Sequence, residues 1–216
     1  VYTLTENGTG LSDTATVSID YDIQSPTAVA DADLSNAAGV VTLNPVPGTP
    51  GQDSDPDGTI DVTTVSLVTP SGATTDDFDS NGDVTSVTVP GEGTWKVDEV
   101  TGAITFTPLP GFTDDPTDIT YNVEDNDGNV SNDATVTIDY VPVAEDNTSA
   151  GNTVGSPAIF NIVLDDTNGD TVVPGTIDLD PSTPGTQDTS LVVPGEGVWS
   201  VDGAGVLTFM PEVGFT

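Results

Sequence analysis

Val89-Pro90-Gly91-Glu92-Gly93-Thr94-Trp95 occurs a second time, as Val193-Pro194-Gly195-Glu196-Gly197-Val198-Trp199. The likeness runs on through Phe106, Gly111, Phe112 and Thr113 to Phe209, Gly214, Phe215 and Thr216; with one single-residue gap, 15 of 24 aligned pairs are identical. In both copies a Pro-Gly turn opens into residues that alternate apolar and polar, the period of a strand with one buried face. Residues 2–21 also align on 121–140 without gaps, with 9 of 20 pairs identical. Offsets of 103 to 119 residues are the size of domains, too long for the units of a solenoid.

These echoes set the expected organisation. Residues 1–22 read as the C-terminal strands of a preceding repeat, 23–140 as a complete repeat, and 141–216 as the N-terminal part of a following repeat without its last strands. Within 23–140, period-two alternation predicts strands over 40–46, 59–68, 85–89, 93–98, 103–107, 119–124 and 134–140. Turn clusters separate them, among them Pro47-Gly48-Thr49-Pro50, Ser80-Asn81-Gly82-Asp83 and Asp125-Asn126-Asp127-Gly128. Short strands at this spacing with no helical period predict an all-β fold of tandem Ig-like antiparallel β-sandwich domains in an extended array. Trp95, Phe106, Tyr121, Val123, Val136, Ile138 and Tyr140 share the apolar phase and are the expected core.

Composition limits the chemistry. The chain carries 36 Asp and Glu against one basic side chain, Lys96, with no His and no Cys, for a formal charge of −35. Binding to nucleic acid or to an anionic membrane surface needs the Lys and Arg that are missing. Thiolate or imidazole zinc sites, disulfides and Ser–His catalysis are excluded on the same reading. Carboxylate and hydroxyl oxygens remain; they suit hard cations, and Ca²⁺ is the expected cofactor. The acids divide into 29 Asp and 7 Glu, and Asp favours turns and compact loops over helices. Hydrophobic residues at 34% with 23 Gly give an apolar share close to that of ordinary globular domains. No apolar run approaches the ~18 residues of a membrane helix, so no membrane insertion is expected in this segment.

Three acidic groupings are candidate metal sites. Asp53-Ser54-Asp55-Pro56-Asp57-Gly58-Thr59-Ile60-Asp61 places three carboxylates on alternate residues of a turn that Gly58 can close, with Asp61 in reach. This is the opening of a calcium loop, although Thr64 stands where a closing glutamate is expected. Close carboxylates repel without a cation; the alternative is an acidic turn whose Asp side chains cap the backbone. The equivalent stretch around Asn168-Gly169-Asp170 has lost the alternation. The second grouping is Asp125, Asp127 and Asn129, with a plain Asp/Asn/Gly hairpin turn as its alternative. The third lies at the junctions, with Asp20, Asp22, Asp31 and Asp33 at one and Asp139, Glu145 and Asp146 at the other, where a cation could lock neighbouring domains; the alternative is a solvated hinge. No catalytic residue is expected, because no Glu stands alone among apolar neighbours as a raised-pKa acid would.

Asp55-Pro56-Asp57-Gly58-Thr59-Ile60-Asp61, the Val89–Trp95 motif, Gly102-Ala103-Ile104-Thr105-Phe106-Thr107-Pro108 and Gly111-Phe112-Thr113-Asp114-Asp115-Pro116 follow one another in order. Together they resemble the CshA-type fibril repeat of giant bacterial surface adhesins. The resemblance implies tandem stalk-forming β-domains outside the cell that hold a binding tip away from the surface, and no catalytic residues. The expected function is therefore a structural stalk segment, stiffened by Ca²⁺, whose partners are neighbouring copies or repeats of the same protein, head to tail. Residues 1–22 of one chain could complete 141–216 of the next by strand complementation. The alternative is a carbohydrate- or protein-binding module that uses exposed loop aromatics such as Phe78, Phe112 and Phe215.

Overall fold

Alternating burial organises the chain into strands. The structure, a computed structural model, describes residues 1–19, 22–46, 52–166, 169–183 and 185–216. The turn at Pro47–Pro50, Asp20 and Asn168 lie outside the described residues. The strands are β1 (Tyr2–Thr5), β2 (Ser12–Ala15), β3 (Asp31–Asn36), β4 (Val41–Leu43), β5 (Ile60–Val68), β6 (Thr74–Phe78), β7 (Val84–Val89) and β8 (Gly93–Val97). They continue as β9 (Ile104–Pro108), β10 (Ile119–Asp125), β11 (Ala134–Tyr140), β12 (Ala158–Asn161), β13 (Ser190–Val193), β14 (Gly197–Val201) and β15 (Val206–Pro211). The helical content among the described residues is one 3₁₀ turn at Pro174–Thr176.

Two sheets of residues 31–140 face each other as a β-sandwich. One has the order β3-β11-β10-β5 and the other β4-β9-β8-β7-β6. β10 and β11 each alternate buried and half-buried residues along their whole length, so Ile119, Tyr121, Val123, Ala134, Val136, Ile138 and Tyr140 all point inward. The opposite sheet contributes Val87, Trp95, Val97, Ile104 and Phe106. Trp95 and Phe106 are cross-strand partners with ring centroids 4.9 Å apart, and Phe112 meets Phe106 edge-on at 6.1 Å. Burying side chains of this size stabilises the fold by about 1.5–3 kcal/mol each. Every expected core residue is in this cluster.

One pairing departs from the antiparallel expectation. β3 and β11 run parallel, Val136 opposite Asp31 and Tyr140 opposite Asn36. The first and last strands of the sandwich thus lie side by side and point the same way. Antiparallel ladders join all the other paired strands among the described residues.

Outside the sandwich are two smaller assemblies. β1 and β2 form a hairpin exposed along both strands. β12-β15-β14-β13 form a four-stranded sheet in which Trp199 and Phe209 pair at 4.5 Å, repeating the Trp95–Phe106 contact, with Phe215 edge-on to Phe209. Among the described residues no helix is long and apolar enough to cross a membrane.

Candidate functional site

The first two acidic groupings, with Asp31 of the third, meet at the end of the sandwich where the chain enters β3. Residues 27–29 lie along residues 53–54, since the Thr27 N–H donates to the Ser54 carbonyl at 2.7 Å and the Ser54 N–H returns a bond of 3.0 Å. Asn132, just before β11, clamps Ala28 from the other side: its Oδ1 accepts the Ala28 N–H at 3.1 Å and its Nδ2 donates to the Ala28 carbonyl at 2.8 Å. The loop of residues 53–59 in turn touches the β10–β11 turn. Asn126 Oδ1 accepts the Thr59 N–H at 2.8 Å, and the Asn126 N–H donates to the Thr59 carbonyl at 2.9 Å. The first two acidic groupings are therefore neighbours in space.

Tyr121 sits beneath this junction. Its hydroxyl lies 2.8 Å from Asp53 Oδ2, 3.2 Å from Asp31 Oδ2 and 3.3 Å from the Val29 carbonyl. One O–H has one proton to give, so three acceptors compete for it. Asp53 is 8% exposed, and its other oxygen accepts the Val29 N–H at 2.7 Å. Burial raises the Asp53 carboxyl above the ordinary carboxylate value, against the hydrogen bonds from Val29 and Tyr121. Burial raises Asp31 too, and the Asp53 charge adds to it. The Tyr121 phenol is pushed far up, first by burial and then by Asp53 and Asp31.

The other candidates are held differently. Asp55 Oδ1 accepts the Asp57 N–H at 3.3 Å, while its Oδ2 is buried with no hydrogen-bond partner. A Cβ on Gly58 would lie 2.6 Å from that oxygen and 2.4 Å from Asn126 Oδ1, so only glycine leaves the space between the two oxygens open. Asp57 Oδ2 accepts the Gln24 N–H at 3.0 Å. Asp61 points along its own strand, accepting from the Thr63 N–H at 3.0 Å and hydroxyl at 2.6 Å. Asp125 caps its turn: Oδ1 accepts the N–H groups of Asp127 and Asn129 at 2.8 and 2.9 Å, and Oδ2 the Asn129 amide at 2.9 Å. Desolvation of Asp125 is outweighed by these donors, led by Asn129, and its carboxyl is held below the ordinary value. Asp33 lies half-buried on β3. Among the described residues no three carboxylates form a group that could hold a metal ion.

At the exit end, the Val141 N–H donates to the Asn36 carbonyl at 2.8 Å and the Tyr140 N–H to Asp115 Oδ1 at 2.6 Å. Of the loop aromatics, Phe112 and Phe215 are packed in ring pairs, and Phe78 is 57% exposed on the edge strand β6. They do not form an exposed aromatic platform.

The family model for the surface adhesin CshA repetitive domain matches residues 25–143, the sandwich from its entry clamp to its exit. The chain belongs to this family. No curated protein and no solved structure matches it. The CshA repeat is a surface-adhesin repeat, which implies a cell-surface or extracellular protein, and such repeats are not typically enzymatic. In this CshA repeat, Asn126 and Asn132 hold the entry junction together. Sequence reasoning reached Asn126 through its Asp-Asn-Asp-Gly turn, whereas Asn132 gave no signal because its partner is a backbone group about a hundred residues away.

Proposed function

We propose that the chain is a stalk segment of an extracellular bacterial adhesin, in which Ig-like sandwich units succeed one another head to tail and carry a binding tip away from the cell. The parallel pairing of β3 and β11 is the observation that carries this reading. The chain enters at Ala28 beside Asn132 and leaves at Val141 beside Asn36. Entry and exit are thus at opposite ends of a seven-residue strand, about 20 Å apart at roughly 3.3 Å per residue. Units joined through such points extend and do not fold back.

Ca²⁺ belongs to this proposal as a stiffener of the entry junction. Its support is the buried, unpartnered Asp55 Oδ2 beside Asn126 Oδ1, in a space that a side chain on Gly58 would fill. Ca²⁺ accepts carboxylate, amide and backbone oxygens alike.

Small-angle scattering of the 216-residue chain tests the stalk. A compact globule of that length has a radius of gyration of about 17 Å; the expected value is clearly larger, and a value at or below it overturns the reading. Thermal melts in CaCl₂, MgCl₂ and EDTA test the ion. Melting temperature should rise in CaCl₂ and the rise should be lost in Asp55→Asn; equal melting in all three removes Ca²⁺ and leaves the stalk.

A further inference from the structure

The chain leaves the sandwich through residues 141–147, and the unit that follows reaches back to hold them. The Asp170 N–H donates to the Val141 carbonyl at 3.1 Å. Asp166 Oδ1 accepts the Glu145 N–H at 2.7 Å, and the Asn147 amide donates to the Ile162 carbonyl at 3.1 Å. The linker is therefore bonded at both of its ends to the following unit. The entry linker of the sandwich is held by the same kind of bond, since the N–H groups of Gln24 and Val29 donate to the carboxylates of Asp57 and Asp53. Hydrogen bonds to an ionised acceptor are the stronger class.

Gly169 marks the closest approach of the two backbones. It is buried, and a Cβ there would lie 2.4 Å from the Val141 carbonyl oxygen, 2.6 Å from the Val143 nitrogen and 2.9 Å from the Pro142 carbonyl carbon. All three are backbone atoms, which cannot swing aside as the end of a long side chain can. Any other residue at 169 would push the linker away.

The sandwich adds a hold of its own. In the loop after β9, two successive carboxylates serve opposite partners. Asp115 Oδ1 accepts the Tyr140 N–H at the end of β11 at 2.6 Å, whereas Asp114 Oδ1 accepts the Thr171 hydroxyl. Pro116 behind them is buried and seats the loop. Elsewhere the two sides stand apart over a cleft of about 390 Å³ lined by Thr113, Asp114, Val163 and Asp166 among others. A small number of bonds thus sets the angle between the units.

We propose that residues 113–115 and 141–147 form a docking surface for the repeat that follows, and that Gly169 permits the close approach which locks the two at a fixed angle. This rests on the stalk reading and supplies its exit joint, a direct contact distinct from the Ca²⁺ proposed for the entry. Small interfaces ordinarily leave neighbouring domains free to move. Here contact between two backbones takes the place of area.

The chain has no Cys, so spin labels on Ser80→Cys and Ser200→Cys report one distance without background. Both positions are exposed, the first on the β6–β7 turn of the sandwich and the second on β14 of the following unit. Pulsed electron paramagnetic resonance in EDTA should give a single narrow distance distribution for the parent chain. Gly169→Ala should widen it about twofold or more, as domains released from each other move independently. Gly175→Ala, where a Cβ meets nothing within 4 Å, should leave it unchanged. Thr171→Val keeps the close approach and removes the hydroxyl given to Asp114, so it should widen the distribution by a smaller amount; it decides the matter if Gly169→Ala disturbs the fold around it. A broad distribution in the parent, equal widening by Gly169→Ala and Gly175→Ala, or indifference to both Gly169→Ala and Thr171→Val overturns the joint. Small-angle scattering on the same samples separates the two readings, since an extended parent with a broad distribution refutes only the joint and a compact parent refutes the stalk as well.

Discussion

Tyr121 offers one proton to two carboxylates and a carbonyl, and the burial of those carboxylates, which the Tyr121 hydrogen bond only partly offsets, gives a pH response of unusual sign. Asp31 and Asp53 have folded-state values raised above 3.8 by burial. In the window between 3.8 and the raised values the folded state binds more protons than the unfolded one, so stability falls as pH rises through it. Asp79, Asp98 and Asp125 are shifted the other way, each held below 3.8 by backbone N–H donors. Their contribution is present above 3.8 and is lost as pH falls through the lowered values. In EDTA, melting temperature should therefore rise on acidification from neutrality, pass a maximum, and fall in stronger acid. Asp53→Asn should flatten the rise and leave the acid-side fall; an unchanged profile would show that Asp53 titrates normally. Tyr121→Phe removes the only side-chain donor to Asp53 among the described residues and should cost about 1–3 kcal/mol in a denaturant melt.

Individual strands were legible to the extent that their pattern was apolar and local. Gly93 shows why the Pro-Gly-Glu-Gly-x-Trp motif reads so clearly: a Cβ there would lie 2.4 Å from the Thr107 carbonyl and 2.7 Å from the Phe106 ring. Gly93→Ala should cost about 1–3 kcal/mol by overpacking. Trp95→Ala should cost about 3–5 kcal/mol, and Trp199→Ala, at a half-buried position, distinctly less; equal losses in chemical denaturation would mean the two sheets are equally covered. β3 escaped the alternation because Asp-Ala-Asp-Leu-Ser-Asn is poor in strand-forming residues, and β6 because Thr-Thr-Asp-Asp-Phe, though it holds two Thr and a Phe, has no buried apolar face to alternate with. Both are edge strands, where acidic side chains discourage further pairing. The parallel direction of β3 had no local signal, since it follows from which strand lies beside it. The acidic turns were legible as turns, and Asp125 caps its own backbone. Their convergence on one end was not legible, because the bonds that join them, such as Asn126 with Thr59, link residues 67 positions apart in the sequence.

For the whole molecule, the direction of two strands matters more than any one side chain. β3 and β11 lie side by side with the chain's path entering at one end and leaving at the other. A pull applied through both ends runs along these strands, so their hydrogen bonds are loaded in shear and must yield together instead of unzipping one by one. Rupture under force is governed by the unfolding barrier and not by equilibrium stability. In single-molecule pulling through the termini, Ala32→Pro in β3 should lower the rupture force well below that of Gly93→Ala, even where the two cost similar equilibrium stability; equal forces would show that the first barrier lies elsewhere. In a stalk of the kind proposed, the strand pair that sets the spacing of the units would also be the latch that keeps each unit from being drawn open under tension.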